Sequence, residues 1–127
     1  MSLIRRRILV VEDDPTMTEM LTLLLEDSGC NILTATSGED ALELAQDGPP
    51  PDLITLDLGL PGMDGSELLR LLRSNPVTMD VPVIVVTARH FESTEGDKVA
   101  AVLNKPFDAS ELESAVYKVL GLTPGAV

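Results

Sequence analysis

Short aliphatic runs alternate with segments of helical periodicity along this chain, and that alternation leaves few folds open. Residues 7–11 (RILVV), 31–35 (NILTA), 53–57 (LITLD), 83–87 (VIVVT) and 101–103 (AVL) have the length and branched composition of strands. The run at 53–57 is continuously apolar up to its last residue, as expected of a strand covered on both faces. After the first run, Asp14 is placed to cap a helix, with Pro15 at the first helical position, where a missing N–H costs nothing. Met17, Met20, Leu21, Leu24 and Leu25 give that helix one apolar stripe, and Gly29 is expected to end it. Ser37 through Asp40 open a second helix, buried through Ala41, Leu42, Leu44 and Ala45. A third, capped by Asp64, turns Leu68, Leu69, Leu71 and Leu72 inward and stops at Asn75-Pro76. Near the end, Asp108 and Glu111 form a capping box ahead of Leu112, Ala115, Val116, Val119 and Leu120. Strand and helix in regular succession is the signature of βα units, hence a parallel sheet covered by helices.

In a parallel sheet every strand points the same way, so residues just past the strand ends collect along one edge. Ligands bind at that edge in open α/β sheets. Here the edge would carry Glu12-Asp13-Asp14, Asp57 with Gly59 just beyond it, Thr87, and Lys105-Pro106. An oxygen-only cluster of carboxylates suits a hard cation such as Mg²⁺, which keeps several waters and takes few protein ligands. Individually these residues have plainer readings. Asp14 and Asp64 read as helix caps, a single Thr at a strand end is ordinarily structural, and His90 reads as a solvated loop residue with no role. Together, Glu12, Asp13, Asp57, Thr87 and Lys105 read as a site that puts a phosphoryl group on Asp57.

Composition narrows the partners. The net charge of −12 argues against direct binding to nucleic acid or an anionic membrane, since both are themselves negative. Cys30 stands alone, which excludes a disulfide framework and a zinc site, and it reads as a small core residue. Arg5-Arg6-Arg7 precedes only four apolar residues before Glu12, too short for a signal-peptide core or a membrane span, so it reads as a solvated lead-in and the cytoplasm is the default compartment.

These motifs carry a resemblance. Ile8-Leu9-Val10-Val11-Glu12-Asp13-Asp14-Pro15, Leu56-Asp57 with Leu60-Pro61-Gly62-Met63-Asp64-Gly65, Thr87-Ala88 and Lys105-Pro106-Phe107, in this order and spacing, resemble the receiver domain of a two-component response regulator. The resemblance implies a flavodoxin-like, doubly wound, five-stranded parallel sheet of order 2-1-3-4-5, with the domain over residues 5–121 and a short C-terminal tail at 122–127. Carried over residue by residue, it makes Asp57 the phosphoacceptor. Asp13 binds Mg²⁺ directly, Glu12 acts largely through a bound water, and the Gly59 main-chain carbonyl is a further ligand. The Thr87 hydroxyl, helped by the Ala88 amide, and Lys105 bind phosphoryl oxygens, and Lys105-Pro106 takes a cis peptide. The donor is implied to be the phosphohistidine of a sensor histidine kinase or a histidine phosphotransfer protein. The domain would catalyse its own phosphorylation and dephosphorylation, without turnover of an external substrate. The output partner or effector domain is not specified, and a phosphorylation-linked homodimer is one form the output could take.

Two departures from that pattern concern the readout. Thr87 and Lys105 are 18 residues apart, about one helical turn (~4 residues) short of the family's usual spacing, and the missing turn falls in 89–100, where apolar periodicity fails. A shortened or degenerate fourth helix is expected there, mobile before phosphorylation and ordered or shifted by it. The position three before the lysine, normally Tyr or Phe, is Val102. These departures keep open a pseudo-receiver, an interaction module that signals without phosphate. A flavodoxin-like cofactor binder or hydrolase is disfavoured, because no Gly-rich phosphate loop is present and the chain has no Trp, one Tyr and two Phe to stack on a flavin.

Overall fold

The computed structural model describes residues 6–88, 91 and 98–122. The expectations for Arg5, for His90, for most of the 89–100 segment with its shortened helix, and for most of the tail lie outside these residues. Among the described residues nine elements follow in order: β1 (Arg7–Val11), α1 (Pro15–Glu26), β2 (Asn31–Ala35), α2 (Gly38–Gln46), β3 (Leu53–Asp57), α3 (Gly65–Ser74), β4 (Val83–Thr87), β5 (Val99–Asn104) and α4 (Ala109–Leu120). The strands form one parallel sheet of order β2-β1-β3-β4-β5. This is the expected flavodoxin-like topology. No helix among the described residues is long and apolar enough to cross a membrane.

Alternate residues of each strand supply opposite faces of the sheet. Leu9, Val11, Ile54, Leu56, Val83 and Val85 pack with Ala41, Ala45, Leu68, Leu69 and Leu72 from α2 and α3. Ile8, Val10, Leu53, Ile84 and Val86 pack with Leu21, Leu25, Leu112, Val116 and Leu120 from α1 and α4. β3 and β4 are buried along their whole length, which is why their sequences are so uniformly apolar. Cys30 is a buried member of the second core, as expected of a small hydrophobe.

The helix starts follow from their caps. Asp14 accepts from the Thr16 amide, Ser37 from Asp40 and Asp64 from Ser66, each satisfying an N–H that has no partner inside its helix. At α4 the Glu111 carboxylate accepts from the Asp108 amide. Several details differ from the sequence reading. α1 ends at Glu26, and Gly29 closes the following turn at φ +86°. There the Ser28 hydroxyl donates to the Leu25 carbonyl. Met20 is exposed, because the α1 face toward the sheet is filled by Leu21 and Leu25 with Met17 and Leu24 at its margins. Arg7 is no solvated lead-in: its amide donates to Asp52 and its guanidinium to the Pro49 carbonyl, fastening β1 to the turn before β3.

β5 also begins earlier than its apolar run suggests. Val83 pairs with Val99 and Ile84 with Ala101, so Ala100 is an extra residue at a bulge. Ahead of it, Lys98 takes φ +51°, uncommon for a side-chain-bearing residue. Arg73 fixes this corner. Its guanidinium donates to the carbonyls of Thr78, Met79 and Val81, and to that of Lys98 at 3.1 Å, joining α3 to the start of β5. Val102 is half-buried against the α2/α3 core, and Phe91 packs on the same core.

Candidate metal and phosphoacceptor site

The C-terminal ends of β1, β3, β4 and β5 bring the expected residues to one edge. Glu12 follows β1 and is buried, while Asp13 beside it is exposed. Asp57 is the last residue of β3 and Thr87 the last of β4, both buried. Ala88 follows Thr87 and is exposed. Lys105 extends the β5 ladder by donating its amide to the Thr87 carbonyl at 2.8 Å, and the Lys105–Pro106 peptide is cis.

Three carboxylates converge here: Glu12, Asp13 and Asp57 each offer an oxygen within 4.8 Å of the others. One ammonium answers them. Lys105 Nζ lies 2.9 Å from Glu12 Oε1 and 3.5 Å from Asp57 Oδ2. The resemblance gave this lysine a phosphoryl oxygen as its partner; in the structure it lies on Glu12. Burial, above all, pushes the Glu12 carboxyl above its usual value, and neighbouring Asp57 adds to that, against the lowering effect of Lys105 and the Asp14 amide. Burial pulls Lys105 down, but its hydrogen bond to Glu12 and the charges of Glu12 and Asp57 outweigh burial and hold it above the ordinary lysine value.

The donor set fits Mg²⁺. It is all oxygen, it carries more negative charge than one lysine offsets, and its Asp13 corner opens to solvent. Both Glu12 oxygens already have partners, Lys105 Nζ at Oε1 and the Asp14 amide 3.3 Å from Oε2. Asp13 and Asp57 are the other two carboxylates of the cluster. The Gly59 amide donates to Asp57 Oδ1 at 3.0 Å, so the residue expected to contribute its carbonyl also orients the Asp57 carboxylate. This amide contact was missed in the sequence, because side-chain types say nothing about backbone direction in a loop.

Comparison with known proteins agrees with the fold. The family model for the response regulator receiver domain matches residues 8–117. The phosphate regulon transcriptional regulatory protein PhoB of Klebsiella pneumoniae is 36% identical over 130 residues, covering 96% of this chain and 55% of that protein. This chain spans about half the length of the first curated relatives it matches. A sensor protein from Polaromonas sp. JS666 superposes with a TM-score of 0.84 at 34% identity, covering 93% of this chain and 98% of that one. Response regulator TrrA from Thermotoga maritima, solved in complex with Mg²⁺ and BeF, gives 0.80 at 34% identity, covering 90% and 98%. With the family model matching most of its length and its sheet topology as expected, the chain belongs to the response regulator receiver domain family.

Proposed function

We propose that this domain accepts a phosphoryl group from a phosphohistidine donor onto the Asp57 carboxylate, in the presence of Mg²⁺, and that the phosphorylated form carries a signal. The observation that carries this reading is the convergence of Glu12, Asp13 and Asp57 around Lys105 at the C-terminal edge of the sheet. Bound there by Asp13, Asp57 and the Gly59 carbonyl, with Glu12 acting through water, Mg²⁺ would supply charge neutralisation for the phosphoryl oxygens. An Asp57 carboxylate oxygen forms the new bond to phosphorus. The P–N bond to the donor histidine breaks, and the imidazole leaves with that electron pair. Such transfer rests on positioning and charge stabilisation more than on covalent help from the protein. The Gly59 amide holds Asp57 Oδ1 in place, leaving Oδ2 on the side of Lys105.

Phosphorylation replaces one negative charge on Asp57 with roughly two, and adds strong acceptor oxygens. Lys105, 3.5 Å from Asp57 Oδ2, is close enough to transfer its hydrogen bond from Glu12 to a phosphoryl oxygen. The Thr87 hydroxyl and the Ala88 amide would bind another, so that the end of β4 moves with the phosphate. The donor partner is a sensor histidine kinase or a histidine phosphotransfer protein in the cytoplasm.

The test is intact mass after incubation with acetyl phosphate, with Mg²⁺ or with EDTA. One phosphate added only with Mg²⁺, and none in Asp57→Asn, is the expected result. Wild-type protein that stays unmodified would favour the pseudo-receiver reading instead.

A further inference from the structure

The loop between β3 and α3 carries Gly59 and ends at Asp64, so its placement sets the geometry around Asp57. Two glycines outside the candidate ligand set hold it. Gly65, the first residue of α3, donates its amide to the Leu58 carbonyl at 3.1 Å. A Cβ at position 65 would lie 2.5 Å from Leu58 Cα and 2.8 Å from the Asp57 carbonyl oxygen. Both are backbone atoms, which cannot swing aside as a side chain can. Gly38, at the start of α2, is covered by the Met63 side chain of the same loop, of which only the Cβ is fixed by the backbone. A Cβ there would lie 2.7 Å from Met63 Sδ and 3.0 Å from Met63 Cβ.

Neither glycine is among those with positive φ, so neither is needed for backbone conformation. What each supplies is space. At an ordinary helical φ, replacing glycine by alanine normally stabilises a protein by restricting the unfolded chain. At position 65 the close approach of α3 to β3 reverses that expectation.

We infer that Gly65, seconded by Gly38 beneath Met63, is a positioning residue for the metal and phosphoacceptor site: the absence of a side chain lets α3 seat the 57–59 segment so that Asp57 and Gly59 face Glu12 and Asp13. This rests on the Mg²⁺-dependent reading given above. Any side chain at 65 must push the backbone of Asp57 and Leu58 away, carrying with it the Asp57 carboxylate, the Gly59 amide that orients it and the Gly59 carbonyl. The lost quantity is therefore ligand geometry, in addition to any lost stability.

The experiment measures Mg²⁺ affinity by titration calorimetry, with the rate of phosphate uptake from acetyl phosphate beside it, for wild type, Gly65→Ala, Gly38→Ala and Gly29→Ala. Gly29 has φ +86° and open space around it, and lies in the turn before β2, so alanine there strains the backbone without touching the loop. Gly65→Ala should weaken Mg²⁺ binding about 10- to 100-fold, the usual effect of disturbing groups that support metal ligands. Gly29→Ala should lose stability yet keep wild-type affinity. Wild-type affinity in Gly65→Ala, or the same weakening in Gly29→Ala, overturns the inference. If Gly65→Ala does not fold, Gly38→Ala decides: weakened binding that Met63→Ala partly restores supports the inference, and unchanged binding overturns it. Wild-type protein that binds no Mg²⁺ would sink the functional reading as well, whereas binding retained in both alanine variants sinks this inference alone.

Discussion

Replacing Lys105 by Met keeps an apolar stem of similar length and removes the one ammonium that, among the described residues, faces Glu12 and Asp57. Glu12 is 1% exposed, so little bulk solvent reaches it to take over the lost role. Breaking a buried pair by removing one partner ordinarily costs about 3–5 kcal/mol. Here protonation sets a lower ceiling, because Glu12 can take up a proton instead of remaining an unpaired anion. From its ordinary value of 4.5, neutralising it at pH 7 costs about 1.36 × 2.5, or about 3.4 kcal/mol, and at pH 5.5 only about 1.4 kcal/mol. Wild type already bears part of the burial cost, so the expected loss for the variant without Mg²⁺ is about 2–3 kcal/mol at pH 7. The sign with pH follows from linkage. The folded variant binds the Glu12 proton more tightly than the unfolded chain does, so its stability rises as pH falls and the gap from wild type narrows. With no Trp and one Tyr in the chain, urea denaturation is best followed by circular dichroism, where the loss corresponds to a midpoint shift of roughly 1–2 M. Removing a cation that shares Glu12 and Asp57 should also tighten Mg²⁺ binding. A loss below about 0.5 kcal/mol at pH 7, typical of an exposed pair, or equal losses at both pH values, would refute the reasoning.

Asp13→Ala should weaken Mg²⁺ binding by about tenfold or more, while stability without Mg²⁺ stays level or rises, because one of three crowded carboxylates is gone; unchanged affinity by titration contradicts the ligand role. Mg²⁺ affinity in the wild type should begin to fall at a pH above the ordinary glutamate value of 4.5, since the raised Glu12 carboxyl holds a proton that competes with the metal. An affinity that is flat until pH has dropped below 4.5 would show that Glu12 plays no part. Thr55, in the middle of β3, is buried and its hydroxyl has no partner among the described residues, so Thr55→Val should stabilise the protein by about 1 kcal/mol. A lower thermal midpoint in that variant would mean that the hydroxyl has a partner.

Much of this architecture was legible because local signals and tertiary fate coincide. β1, β2, β3 and β4 have the bounds their sequences suggest, and Asp14, Ser37 and Asp64 cap where short polar residues precede apolar periodicity. The converging set of Glu12, Asp13, Asp57 and Lys105 was legible for a topological reason, since a parallel sheet gathers strand ends along one edge. What escaped depends on contacts distant in sequence. The bulge at Ala100 breaks the alternation that marks a strand, so β5 read as starting at residue 101. Met20 fits an apolar stripe but is exposed, since Leu21 and Leu25 fill the face of α1 toward the sheet. The seat of Lys105 on Glu12, the Arg73 bridge to Lys98, and the fit of Gly65 against β3 are set by how elements pack, and residue type alone does not report them.

Whether a phosphoryl group resides on the Asp57 carboxylate can be read directly by chemical trapping. Treating the protein with acetyl phosphate and Mg²⁺, then with borohydride, reduces an aspartyl phosphate to homoserine and fixes its position permanently. Peptide mass mapping should find homoserine at position 57 alone, absent when EDTA replaces Mg²⁺. Homoserine at Asp13 or any other carboxylate, or none at all despite bound Mg²⁺, would contradict the account.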